Sequence, residues 1–349
     1  MTRTGDFTSF AYVANSGTQD ISVLGLRPDG DLVALASVAV QRPIHTGRSM
    51  VLAPSPDHGR LYAAYLSGPD QAMVAAFAID AETGNLRRIG ATPLAAPSAY
   101  LSTDRSGRFL FSASYAGNLV TVNAIGADGA VGEALQVIPT APMAHCIIAD
   151  RSNRFVLHTS LGGDLIYQRR FDPQSGRLSP NEPPVVSARA KAGPRFIVFA
   201  PHADFAYVIN ELDGAVDVHR FAATTGTLDP ALQTISALPD PFTGKPWCAD
   251  IHIRPDGRFL YVSERTSSVI TAFAVDRASG RLSRIACHET ARQPRTFAID
   301  PAGSWLLAAG QLADRVVCHA IDARSGGLTA RREYPVGKNP TWIEVLAPA

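Results

Sequence analysis

A chain of 349 residues with 46% hydrophobic side chains can bury a large core, and its length alone would suggest two or three domains. Its 32 basic and 31 acidic side chains leave a formal charge of +1, which excludes a general attraction to nucleic acid or to an anionic membrane surface. No run of about 18 apolar residues occurs, and the opening MTRTGDFTSFAYVANSG holds no apolar stretch of signal-peptide length, so a soluble cytoplasmic protein is expected.

Taken in order, the chain repeats itself. A turn followed by a large apolar residue and a short β-rich run appears as FAYVAN at Phe10, LYAAYL at Leu61, FLFSASY at Phe109, FVLHTSL at Phe155, FAYVINE at Phe205, FLYVSER at Phe259 and WLLAAGQ at Trp305. The intervals are 51, 48, 46, 50, 54 and 46 residues. Before each marker but the first stands a short apolar run and a turn, and after it an alternating run such as Val269 to Asp276. A hairpin signal then precedes a weaker final strand: AETGNL at Ala81, PQSGRL at Pro173, ATTGTL at Ala223, RASGRL at Arg277 and ARSGGL at Ala323. Four strands in each period of about 40 to 50 residues predict an all-β, seven-bladed β-propeller of antiparallel blades. No segment carries helical periodicity. The first unit lacks an innermost strand and the chain ends in the spare strand PTWIEVL, so the carboxyl-terminal strand is expected to complete blade one and close the ring as one domain over residues 1–349.

The repeat is also a ruler for the rim of the central channel. In the hairpin Phe196 to Ala200 and Phe205 to Asn210, the start of the first strand and the end of the second fall at one sheet edge, making Arg195 and Glu211 neighbours. Equivalent positions after the markers hold Ser16, Ser67, Tyr115, Leu161, Glu211, Arg265 and Gln311. Those at the starts of the innermost strands hold Arg48, Ala99, His145, Arg195, Ala249 and Arg295, with Asp250 one place on. Arginines at strand ends can brace neighbouring blades through carbonyls. Four arginines gathered with one imidazole and one carboxylate in a nearly neutral chain point instead to an anionic small molecule at the channel mouth. The cysteines Cys146, Cys248, Cys287 and Cys318 stand far apart without CxxC spacing and read as buried thiols, so no metal site and no cofactor are expected. Neither a Gly-rich phosphate loop nor a GxSxG elbow is present.

At these residues the chain resembles the bacterial 6-phosphogluconolactonases of the seven-bladed type, in one superfamily with the carboxymuconate-cyclising enzymes. The strings GPRFIVFAP, NELDGAVDVH, WCADIHIRPDGRFLYVSERTSSVITAF, QPRTFAIDPAG and VGKNPTWIEV carry the likeness. In the cyclising branch it implies a site of one His, two arginines and a Glu, falling here on His145, Arg195, Arg265 and Glu211. Where those lactonases often carry His, this chain has Tyr100, Met143 and Phe196. Hydrolysis of a sugar-acid lactone, with 6-phosphogluconolactone first, is the function expected. Glu211 or His145 would take the proton from water; the arginines beside Glu211 would lower its pKa and weaken it as a base, which favours His145 with Glu211 orienting it or the water, and Arg195 and Arg265 would hold the acidic group or the developing oxyanion. Arg295, Arg48, Tyr115, Asp250, Trp247, Gln311 and Tyr100 complete the candidate substrate-binding set. Cyclisation of a muconate by the same groups is the alternative, and a non-catalytic propeller scaffold is a third reading. An arginine-rich mouth, unlike the carboxylate-rich calcium site of the metal-dependent gluconolactonases, predicts activity that survives a chelator.

Overall fold

The computed structural model describes residues 7–41, 49–69 and 71–348, and among these the backbone forms strands, turns and no helix. The seven marker runs are Ser9–Asn15, Arg60–Leu66, Phe109–Ser114, Phe155–Ser160, Phe205–Asn210, Phe259–Glu264 and Trp305–Gly310. Each is the second strand of one of seven antiparallel sheets. Both faces of such a strand are covered by neighbouring blades, so these runs are mostly apolar and almost wholly buried, whereas outermost strands such as Leu328–Pro335 lie largely in solvent. Six sheets have four strands. In blade five the outermost strand is split into Thr227–Leu228 and Gln233–Ser236, both paired with Ala215–Ala222.

The innermost strands of blades two to seven are Val51–Pro54, Tyr100–Thr103, Ala144–Ala149, Pro194–Phe199, Cys248–Ile253 and Pro294–Ile299. That of blade one is Pro340–Leu346, which pairs with Ser9–Asn15 as the spare strand predicted. It packs on Pro294–Ile299 on one side and Val51–Pro54 on the other, closing the seven-bladed ring.

The two sequence signals of the repeat meet in space. Phe10, Phe109, Phe155, Phe205 and Phe259 each lie against a glycine in the outer hairpin of the next blade, respectively Gly84, Gly176, Gly226, Gly280 and Gly326. A β-carbon on any of these glycines would run into the ring, and all five have φ between +69° and +75°, so only glycine satisfies both the contact and the turn. Tyr12, Tyr207 and Tyr261 reinforce the joint by donating to the carbonyls of Gly84, Gly280 and Gly326 at 2.9, 3.1 and 2.9 Å.

At the end of the channel where the innermost strands finish, arginines tie the blades together. Arg60 donates to Ala127 O, Arg105 to Ala149 O and Asp150 O, Arg108 to Pro173 O, Arg151 to Pro201 O and Ala203 O, Arg154 to Ala223 O, Arg254 to Gly303 O, and Arg258 to Ala323 O. Every acceptor belongs to the following blade.

At the other end, five of the innermost strands carry one residue more than their partners. Arg195, Arg295 and Thr341 are inserted between successive ladder pairs, His145 and Cys146 together face the single Thr159, and Ala249 and Asp250 together face Ser263. Such a bulge breaks the strict alternation of side chains and re-aims the extra residue. Here it leaves His145, Arg195 and Arg295 at the channel mouth and the next residue one tier deeper.

Candidate active site

The bulged ends and the loops after the second strands enclose an open cavity of about 450 Å³. It gathers His145, Arg195, Glu211, Arg265, Arg295, Tyr115 and Trp247, seven of the residues named from the sequence. Arg48 lies outside the described residues. Asp250 and Tyr100 stand in the tier below, where they wall a separate space of about 50 Å³ with His252, Thr296 and Glu344. Gln311 does not line the cavity, and its backbone N–H is bonded to Gln293 O at 2.9 Å. Asp250 occupies in blade six the place of Phe196 in blade five, the second residue of the bulge, which accounts for its depth.

Glu211 is the anionic centre. Its Oε2 accepts from Arg195 Nε at 2.8 Å and from Arg265 Nη2 at 3.0 Å. Both guanidiniums are nearly fully buried and fixed by further bonds, Arg195 Nη1 to Ala249 O and Arg265 Nε to Trp247 O at 3.2 Å. The Trp247 ring covers Arg265 with 3.8 Å from guanidinium carbon to ring centre, and Phe196 lies under Arg195 at 4.2 Å. Burial, together with the facing Arg195 and Arg295, holds the Arg265 guanidinium well below its usual range. Glu211 Oε1 makes no bond among the described residues, so one carboxylate oxygen is locked and the other is left to the cavity.

His145 is only 3% exposed and has no carboxylate partner among the described residues. Its ring is held edge-on by Tyr115, with centroids 5.7 Å apart, and by Phe196, at 5.4 Å, rather than by Glu211. Of the two orienting tasks considered for Glu211, direct contact with the imidazole is therefore not present. Burial first, and then Arg195 and Arg295, hold the imidazole pKa well below 6.5, so the ring is neutral at neutral pH. Its Nδ1 has no hydrogen-bond partner among the described residues.

Arg295 differs from the other two arginines. Burial and the nearby Arg195 push it down to about 10, which leaves it cationic at neutral pH, yet it has no hydrogen-bond or ion-pair partner among the described residues. Ser98, not singled out by sequence reasoning, is also among the cavity's residues, and its Oγ is buried with no partner among the described residues. A lone serine in a loop carries no chemical signature that could have marked it. Tyr100, Phe196 and Trp342 pack together in the tier below, their ring centroids 4.8, 5.3 and 5.7 Å apart.

Fold and cavity together define a β-propeller whose channel mouth gathers cations, one carboxylate and one neutral imidazole. Residues 5–345 match the family described as lactonase, 7-bladed beta-propeller. The chain is 39% identical over 337 residues to a 6-phosphogluconolactonase of Pectobacterium carotovorum, covering 96% of this chain and 98% of that protein. It is 38% identical over 337 residues, with the same coverage, to a 6-phosphogluconolactonase of Serratia proteamaculans. The solved structure of a periplasmic gluconolactonase of Pseudomonas aeruginosa is similar with a TM-score of 0.89 and 27% identity, covering 98% of this chain and 99% of that one. The chain belongs to the seven-bladed β-propeller lactonase family and is an enzyme of the carboxylic ester hydrolase class.

Proposed function

We propose that this lactonase hydrolyses the lactone of a sugar acid that carries an anionic group, with 6-phosphoglucono-1,5-lactone the first candidate. The observation that carries the reading is Arg295, a half-buried cation with no partner among the described residues that faces the same cavity as a neutral imidazole and a half-free carboxylate. A phosphate or carboxylate is the group such a guanidinium is shaped to hold. The names of the relatives in Pectobacterium and Serratia support the phosphorylated lactone, and that of the Pseudomonas neighbour supports an unphosphorylated one.

In this reading His145 takes a proton from water as the water oxygen bonds to the lactone carbonyl carbon, while Glu211 Oε1 orients that water. The carbonyl becomes an oxyanion, which the remaining N–H groups of Arg195 and Arg265 stabilise. When the ring C–O bond breaks, the imidazolium returns its proton to the departing oxygen, giving the open acid and a neutral ring ready for another cycle. Neighbouring cations favour that return, because they destabilise the protonated imidazole. They also make the mouth unfavourable for a metal ion, so the rate should be unchanged by EDTA.

The test is a pH-stat assay of 6-phosphogluconolactone and glucono-1,5-lactone, corrected for spontaneous opening. Acceleration of both, with a lower KM for the phosphorylated lactone, is expected. Acceleration of neither between about pH 6 and 8 would end the reading.

A further inference from the structure

We infer that Glu264 is a positioning residue of this site, holding Arg265 and the Trp247 ring that covers it in fixed register with one another. The inference rests on the role given to Arg265 above. It adds a group that substrate does not touch, since Glu264 is fully buried and does not line the cavity.

Glu264 is the last residue of its blade's second strand, a place held by Ser114 in blade three and by Ser160 in blade four. In those blades the hydroxyl is a small clamp. Ser114 Oγ donates to Pro97 O at 2.7 Å and accepts from Gly117 N at 2.9 Å, while Ser160 Oγ donates to Pro142 O at 2.6 Å and accepts from Gly163 N at 3.2 Å. Each serine ties the segment entering the innermost strand to the turn leaving the second. In blade six the entering segment is longer, residues 237–247 against 140–143 in blade four. Its last residue, Trp247, is 39% exposed, so packing alone anchors it weakly. A carboxylate replaces the hydroxyl there and gathers more donors. Glu264 Oε1 accepts from Trp247 N at 2.9 Å and from Thr266 N at 3.2 Å, and Oε2 accepts from Ser267 N at 2.6 Å and from Ser267 Oγ. Burying a carboxylate is far costlier than burying a serine, and a full set of donors is what offsets it.

These donors bracket the two side chains that meet over the cavity. Thr266 N and Ser267 N fix the backbone just after Arg265, and Trp247 N fixes the backbone of its cover. Arg265 also bonds Trp247 O through its own backbone N–H and through Nε, both at 3.2 Å. Those bonds join two loop segments only to each other, whereas Glu264 joins both to a strand of the sheet. A displacement of ~1 Å at a reacting centre is enough to cost much of a rate, and Arg265 Nη2 must stay within reach of both Glu211 Oε2, 3.0 Å away, and the developing oxyanion.

The experiment is a double-mutant cycle of Glu264→Gln and Arg265→Ala, assayed by pH-stat on 6-phosphogluconolactone. Glutamine keeps the size but turns an amide N–H against N–H donors, so kcat should fall roughly three- to tenfold with KM within about twofold. In the Arg265→Ala background the same substitution should change kcat by less than about twofold, because a residue acting through Arg265 has nothing left to position. Equal losses in both backgrounds, or no loss in either, would overturn the inference. Should Glu264→Gln fail to fold, Ser267→Ala removes one donor and should give the same non-additive pattern at about two- to threefold. Additive losses, or none, would overturn the inference there too. Fluorescence gives a readout that needs no turnover. The emission that Trp247→Phe removes should shift to longer wavelength in Glu264→Gln and be quenched more by acrylamide. If Arg265→Ala left turnover unchanged while that emission still moved, the role given to Arg265 alone would fall. Emission unmoved by Glu264→Gln would overturn the positioning itself.

Discussion

Arginines crowd both ends of the channel, and the two ends use them differently. At the lower end Arg60, Arg105, Arg108, Arg151, Arg154, Arg254 and Arg258 all donate to carbonyls of the following blade. At the upper end Arg195 and Arg265 converge on one carboxylate oxygen, and Arg295 meets no partner among the described residues. Cavity size does not distinguish the ends, since the lower vestibule lined by Arg105 and Arg151 measures about 390 Å³ against about 450 Å³ above. The difference lies in which donors are already satisfied. Bracing accounts for the lower set and for part of what Arg195 does through Ala249 O, but it leaves Arg295, His145 Nδ1 and Ser98 Oγ unexplained.

The sharpest way to break this comparison is to remove the anion at the upper end. Glu211→Ala strands two buried guanidiniums, so it should cost about 3 kcal/mol of stability in denaturant melts and abolish most turnover. A variant of unaltered stability would mean that the arginines do not depend on Glu211.

Next in size, His145→Ala and Arg265→Ala should each lower turnover at least roughly tenfold, with circular dichroism showing the propeller intact. His145 also sharpens the comparison through pH. Its pKa is lowered in the folded state, so the neutral base persists as the solution is acidified through 6.5, and the acid limb of kcat/KM should fall well below that value. The same shift means the unfolded chain binds the proton first, so His145 takes stability away as pH drops below about 6.5. An acid limb centred at 6.5 or above would show that the surrounding cations do not act on the ring.

Arg295→Met should raise KM for 6-phosphogluconolactone about tenfold while barely affecting unphosphorylated gluconolactone, as expected for loss of a charge-assisted contact. Because Arg295 is half-buried beside Arg195 with no partner among the described residues, Tm should stay level or rise. The smallest effect belongs to the lower end. Arg151→Ala, whose side chain is 44% exposed, should cost less than about 1 kcal/mol and leave kinetics unchanged.

Much of the fold was legible because each blade repeats a physical necessity. Phe205 needs Gly280 opposite it just as Phe259 needs Gly326, so the marker and the hairpin signal recur at one spacing. The site was legible only in part. Counting along the repeat placed His145, Arg195, Glu211 and Arg265 together, but the bulge in the innermost strands has no sequence signature. A one-residue offset therefore left Asp250 among the cavity candidates, and the family resemblance placed Tyr100 there, although both lie a tier below. Gln311 shows that an equivalent position need not share a role, since it sits where Glu211 sits and does not line the cavity. The bracing arginines were hidden because their acceptors are carbonyls, which every residue possesses.

The most direct test of the account is a crystal structure with 6-phosphogluconate bound. The phosphate should lie within hydrogen-bonding distance of Arg295, about 3 Å, with the carboxylate carbon beside His145 and the paired arginines. An acid seated instead in the lower vestibule against Arg105 and Arg151, with the upper mouth empty, would contradict it.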